Sequence, residues 1–166
     1  MKFSSFTRSD ADQTRENMGL NEFVARYSEP PRILVVEDDP SAAQCVLILL
    51  GKFSCAPVHA ALGRDAVRAM EREQFDLIIA DLMLPDLSYY DLAREIARLQ
   101  PVAPVVVVSG LIDERAVTAL NAVLDRPIWY VEKPFVFDVA RARRMFEVLK
   151  IRAPLKSEIL TREQAS

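Results

Sequence analysis

From residue 32 onward the chain alternates between two hydrophobic rhythms. Short unbroken apolar runs, such as Ile33-Leu34-Val35-Val36, Leu77-Ile78-Ile79-Ala80 and Val105-Val106-Val107-Val108, are rich in β-branched residues and bounded by polar ones. Runs of that length and composition predict buried strands. The strands are expected at 32–36, 76–80, 104–108 and 128–131, with a weaker one at 56–60. Between them apolar residues recur every three or four positions, the spacing of one helix face. The stripes are Val46, Leu49, Leu50 and Phe53; then Ala66, Val67 and Met70 within 65–73; then Leu92, Ile96 and Leu99. Val117, Leu120 and Leu124 form the next, and Val139, Ala142, Phe146 and Leu149 the last. All-apolar strands alternating with helices predict an α/β fold: a five-stranded parallel sheet, doubly wound, with helices on both faces. No internal repeat or low-complexity segment interrupts the pattern.

The ends break the rhythm. Residues 1–30 are polar and mixed in charge, closing on Glu29-Pro30-Pro31, and a double proline marks a boundary. The expected division is an N-terminal extension at 1–30, the α/β domain at 31–152 and a charged tail at 153–166. Within the extension, Leu20, Phe23, Val24 and Tyr27 fall at helical spacing. They predict a short amphipathic helix; before about residue 15, disorder is an equal reading.

Composition narrows the classes. A chain of 166 residues with 51% hydrophobic residues can build one real core. Its net charge of −3 and pI of about 5.3 speak against a direct nucleic-acid surface, which needs a basic excess. No apolar run approaches the roughly 18 residues of a membrane helix, and MKFSSFTRSDADQTREN lacks the apolar centre of a signal peptide. A cytoplasmic protein without membrane contact is expected. Cys45 and Cys55 have no metal spacing and sit among apolar residues, so buried free thiols are expected. His59, the only histidine, stands in no motif and reads as structural or exposed.

The polar residues are concentrated where such a fold binds ligands, outside the C-terminal ends of the strands. The first strand is followed by Glu37 and Asp38, the third by Asp81, the fourth by Ser109, and the fifth by Glu132-Lys133-Pro134-Phe135. Asp39-Pro40 suits a helix N-cap and first turn. Three carboxylates brought together cannot all stay ionised without a cation, and all-oxygen donors suit a hard ion such as Mg²⁺. A lysine adds a point contact for phosphate and a hydroxyl a hydrogen bond. Cation, ammonium, donor and carboxylate nucleophile are the parts of a phosphoryl-transfer site that forms an acyl phosphate on Asp81.

ILVVEDDP at 33–40, DLIIADLMLP at 76–85, VVVVSG at 105–110 and YVEKPF at 130–135 together resemble the response-regulator receiver domains of two-component signalling, across roughly 31–152. The resemblance implies the flavodoxin-like (βα)5 receiver fold. It implies Asp81 as the residue phosphorylated by a histidine kinase or phosphotransfer protein. Glu37, Asp38 and Asp81 with the backbone carbonyl of Met83 would hold Mg²⁺. Ser109 and Lys133 would reach the phosphoryl group, and Tyr130 would be the aromatic switch, with Trp129 beside it as a candidate to share that surface. The Lys133-Pro134 bond would be cis. Met83 and Leu111, two residues beyond Asp81 and Ser109, would tune the lifetime of the acyl phosphate; both are bulky and apolar, so slow self-dephosphorylation is expected.

The chain departs from the family at two places. Pro85-Asp86-Leu87-Ser88-Tyr89-Tyr90 has no glycine, so a side chain stands where φ is often positive; a loop of different shape is expected, with the two tyrosines as a candidate partner surface. LDRPIWYV at 124–131 replaces a Gly-Ala turn, which puts the exit of the fourth helix in question. The last helix and the residues after it carry Arg141, Arg143, Arg144, Lys150, Arg152 and Lys156, a face read as solvated, with an acidic partner as the other reading. The expected function is a phosphorylation-dependent switch without an output domain. It would be no enzyme beyond its own phosphorylation and dephosphorylation, and it would signal through the fourth helix, fifth strand and fifth helix, roughly 112–150. An effector protein or a homodimer would read that face. A pseudo-receiver that binds partners without phosphate is the alternative. A small aspartyl-phosphate phosphatase fits less well, because Met83 stands where its second aspartate belongs.

Overall fold

A computed structural model of the protein describes residues 29–110, 114–126, 128–133 and 139–149. The expectations for the N-terminal helix, the 153–166 tail, Leu111 and the Lys133-Pro134 bond lie outside these residues. Five strands and five helices alternate: β1 (Arg32–Val36), α1 (Pro40–Leu50), β2 (Ala56–Ala60), α2 (Gly63–Arg72), β3 (Leu77–Asp81), α3 (Tyr89–Leu99), β4 (Val105–Ser109), α4 (Glu114–Leu124), β5 (Ile128–Glu132) and α5 (Val139–Val148). All strands are parallel, in the order β2-β1-β3-β4-β5. β3 is central and buried throughout. The predicted third strand began one residue early and stopped before Asp81; in the structure Asp81 pairs with Val108 as the last rung.

The two-residue alternation of each strand divides the core. Ile33, Val35, Leu77, Ile79, Val106 and Val108 face the layer built by α1 and α5. Leu34, Val36, Ile78, Ala80, Val105 and Val107 face α2, α3 and α4. Burying each of the Val, Leu and Ile side chains among them stabilises by about 1.5–3 kcal/mol. The helices meet the sheet through the stripes read from the sequence: Val46, Leu49 and Leu50 on α1, Leu92 and Ile96 on α3, Ala142 and Phe146 on α5. Phe53, just past α1, packs edge-on against Phe146 with ring centres 5.0 Å apart.

Two loops show how this chain replaces glycine turns. The 85–90 loop adopts no positive φ; among the described residues outside glycine, only Asp125 does. The loop thus takes a different shape from one that turns on glycine, as expected from its sequence. Ser88, at φ −67° and ψ 151°, caps α3 and its hydroxyl accepts the Asp91 N–H. The helix simply starts at Tyr89. Asp86 meanwhile reaches across to α2, whose own N-cap, Leu62, has no side-chain acceptor. Its carboxylate accepts the N–H groups of Gly63 and Arg64 and the Arg64 Nε–H at 2.8–3.0 Å. Those bonds, led by the Arg64 N–H, lower the Asp86 pKa to about 2. The approach requires glycine at 63, since a Cβ there would sit 2.6 Å from the Leu87 Cβ.

At the other questioned turn, α4 ends on Asp125 at φ 43°. Arg126 then clamps the exit: its Nε donates to Leu124 O at 3.0 Å, and its Nη1 donates to Ala103 O at 2.8 Å and to Gln100 O. Gln100 is itself fully buried. Its amide accepts the Phe75 N–H and donates to Met70 O and Glu73 O, stitching the ends of α2 and α3 to the start of β3.

The cysteine expectation holds for the free thiols but not for their burial: Cys45 is exposed and Cys55 half-buried. On α1 the inward positions are taken by Ala43, Val46, Leu49 and Leu50, which turns residue 45 outward.

Candidate functional site

The strand order reverses between β1 and β3, and in such sheets the crevice outside that switch point takes the ligand. Glu37, Asp38 and Asp81 stand there. The ladder carries β1 one step further, with the Glu37 N–H donating to Ala60 O at 3.1 Å. Asp39 then caps α1 through the Ala42 N–H at 2.7 Å, with Pro40 in the first turn. So the β1 end delivers two carboxylates and the next residue starts a helix.

Glu37 is 3% exposed and Asp81 6%. Lys133 Nζ lies 2.6 Å from Glu37 Oε2 and 2.7 Å from Asp81 Oδ2. Strand alternation explains the meeting: Ile33-Val35-Glu37, Leu77-Ile79-Asp81 and Trp129-Val131-Lys133 continue the parity that faces the α1–α5 layer. The second oxygens are also held, Glu37 Oε1 by the Asp39 N–H at 3.2 Å and Asp81 Oδ1 by the Met83 N–H at 3.0 Å. Burial raises the Glu37 pKa, and Lys133 only partly offsets this. For Lys133 burial pushes downward, but the hydrogen bonds to Asp81 and Glu37 win and raise its pKa.

Carboxylate oxygens of Glu37, Asp38 and Asp81 all lie within 4.8 Å of one another. Three carboxylates face one ammonium, so when ionised the set keeps two negative charges. Hard oxygen donors with excess charge fit a divalent cation such as Mg²⁺. Asp38, the exposed member, leaves the set open to solvent.

Ser109 is fully buried at the end of β4, one residue past the rung shared with Asp81. Its carbonyl accepts the Lys133 N–H at 2.8 Å, tying the hydroxyl strand to the lysine. Tyr130 pairs with Val107 and shares its parity with Ser109, on the α4 side. Its hydroxyl is buried without a hydrogen-bond partner, and burial raises its pKa. Trp129 packs on the opposite face, in the α1–α5 layer, so it does not share Tyr130's surface. Met83 is 68% exposed at the rim.

Two contacts were not legible in the sequence. His59 is exposed, yet its Nε2 lies 2.9 Å from the Glu37 carbonyl, a meeting set by the β1–β2 register, for which the sequence carries no motif. The Asp86 cap had one faint signal: a helix opening on Leu62-Gly63 with no capping side chain of its own.

Residues 33–143 match the family model of the response regulator receiver domain. The chain is 26% identical over 134 residues to the autoinducer 1 sensor kinase/phosphatase LuxN of Vibrio harveyi, covering 81% of this chain and 15% of that protein. It is 30% identical over 131 residues to the cell cycle response regulator CtrA of Brucella abortus, covering 78% of this chain and 55% of that one. The chain thus spans about half the length of CtrA and a small part of LuxN. Among solved structures, the CheY-like receiver domain protein of Methanospirillum hungatei superposes with a TM-score of 0.65 at 26% identity, over 74% of this chain and 95% of that one.

Proposed function

The chain belongs to the response regulator receiver domain family, and from that premise we propose that Asp81 is the phosphoacceptor of a signalling switch. A carboxylate oxygen of Asp81 attacks the phosphorus of a phosphohistidine on a kinase or phosphotransfer protein. The new P–O bond forms as the donor's P–N bond breaks, and the histidine keeps the electron pair. The reading is carried by one observation: Lys133 Nζ bridging the buried carboxylates of Glu37 and Asp81, with the exposed Asp38 beside them.

Mg²⁺, held by Glu37, Asp38, Asp81 and the Met83 carbonyl, would offset the charge of the incoming phosphoryl oxygens. Lys133 orients the Asp81 carboxylate and supplies a positive charge for a phosphoryl oxygen. Ser109 supplies a hydroxyl on the adjacent strand. Lys133 must loosen its hold on Glu37 and Asp81 as it turns to the phosphoryl group, and Ser109 and Tyr130, on one face of the sheet, shift together. A charge-assisted hydrogen bond contributes about 1.5–3 kcal/mol, and about 1.4 kcal/mol changes a state ratio tenfold. One or two such bonds therefore suffice to move the equilibrium. The α4-β5-α5 side presents the change to an effector protein or a second copy. The protein catalyses no reaction but its own phosphorylation and dephosphorylation, and Met83 and Leu111 slow the latter by hindering water.

The test is incubation with acetyl phosphate, with and without Mg²⁺, read by intact mass beside Asp81→Asn. A Mg²⁺-dependent gain of one phosphoryl group, absent in the variant, is expected. No gain under any condition would overturn the proposal and leave a pseudo-receiver.

A further inference from the structure

The carboxylate set borders on a bond that phosphoryl transfer at Asp81 does not require. In the parallel ladder between β1 and β2, the Glu37 N–H donates to Ala60 O at 3.1 Å. One more rung of such a ladder would give the Glu37 carbonyl the N–H of residue 62. But β2 stops at Ala60, and Leu62 is the N-cap of α2. The ring of His59 takes that place, with Nε2 2.9 Å from Glu37 O. A carbonyl only accepts, so Nε2 carries the proton and donates.

Asp38 gives this bond a consequence. The Glu37 side chain is held by Lys133 and the Asp39 N–H, and that of Asp81 by Lys133 and the Met83 N–H. Among the described residues, no hydrogen bond holds the carboxylate of Asp38, the exposed member of the set. Its direction is therefore set by its backbone. On one side that backbone is fixed by Asp39, whose carbonyl and carboxylate accept the Ala43 and Ala42 N–H groups and whose own N–H donates to Glu37 Oε1. On the other side lies the Glu37–Asp38 peptide. A peptide unit is planar, so pinning the Glu37 carbonyl through His59 also fixes the direction in which the chain enters Asp38.

We propose that His59 is a positioning residue of the cation site: its Nε2–H holds the Glu37–Asp38 peptide so that the Asp38 carboxylate meets those of Glu37 and Asp81. This rests on the reading of that set as a divalent-cation site. Partners that orient metal ligands carry about 10–100-fold in affinity; His59 is exposed, which puts it at the lower end.

Isothermal titration calorimetry of the full chain with MgCl2, with no phosphodonor present, tests the assignment. His59→Leu, which removes the donor, should weaken binding about tenfold. His59→Gln, whose amide nitrogen stands as many bonds from the backbone as Nε2, should restore most of it. Urea unfolding in Mg²⁺-free buffer should place both variants near wild type, which separates aim from stability. Unchanged or tighter binding by His59→Leu overturns the proposal; tighter binding is what losing a mere neighbouring positive charge would give. A weakening that His59→Gln fails to restore, or one that tracks a fall in the unfolding midpoint, also overturns it. Absence of Mg²⁺ binding in the wild type overturns both this inference and the cation reading. The expected pattern in a protein that acetyl phosphate fails to phosphorylate would still establish the role of His59 and refute only the phosphoacceptor reading.

Discussion

Lys133 is the only cation within hydrogen-bond reach of Glu37 and Asp81 among the described contacts, and its removal makes the sharpest test of the site's electrostatics. Lys133→Met keeps the stem and deletes the charge. Leaving one side of a buried pair uncompensated costs about 3–5 kcal/mol. The Lys133 side chain is 21% exposed, against 4% and 7% for the two carboxylates, so solvent screens part of the interaction. A cost discounted below that range, about 2–3 kcal/mol, is therefore expected, corresponding to a Tm fall of roughly 5–10 °C.

The pH dependence carries a sign. The Glu37 pKa is raised above 4.5 mainly by burial, while Lys133 pulls it down. A carboxyl raised in the folded state contributes stability that is complete below its unfolded value and lost as pH rises through its folded value. Without Lys133 the folded value rises further and that loss deepens. The variant's deficit should be largest near neutrality and shrink as pH falls towards 4.5, because Glu37, raised above that value, gains its proton on the way. Urea unfolding in Mg²⁺-free buffer, followed by Trp129 fluorescence, measures it. A deficit below about 1 kcal/mol, or one that does not change with pH over that window, would refute the reasoning.

Other consequences are open to the same unfolding measurements. Asp125→Gly should stabilise by about 0.5–1 kcal/mol, because φ 43° costs a residue with a side chain and not glycine; destabilisation would count against that backbone conformation. Gln100→Leu should cost about 2–4 kcal/mol, since it strands the Phe75 N–H and the Met70 and Glu73 carbonyls, and a neutral result would mean that water replaces the amide. For Asp86, depressed to about 2, the stability it contributes is present above the unfolded value of 3.8 and lost as pH falls through about 2. Asp86→Asn should therefore lower stability at neutral pH and differ little from wild type in strong acid; a pH-independent difference would contradict this.

Much of this was legible because a parallel sheet covered on both faces writes itself as unbroken apolar runs. β1, β3 and β4 could hardly be read otherwise, and carboxylates at their ends had to be in the crevice. β3 was misjudged by one residue for the same reason: Asp81 is polar, yet it belongs to the ladder. Local capping was also readable, since Asp39-Pro40 needs only its own neighbours.

The sequence could not set the contacts that depend on where strands and loops lie relative to one another. Lys133 is 52 positions from Asp81 and 96 from Glu37, and only the shared parity of three strands brings one ammonium to both. The same parity separates Trp129 from Tyr130, neighbours in sequence on opposite faces of the sheet. Gln100, an ordinary helix-end residue by its sequence, became the buried tie of three elements. Asp86 and Arg126 took over where glycines were missing, one capping a distant helix and the other gathering loose carbonyls. By itself the sequence determined the fold class and the chemical character of the site, because burial and local hydrogen bonding act through nearest neighbours. Tertiary structure alone decided which charge offsets which and which side each ring faces, because those depend on strand order and register across long stretches of chain.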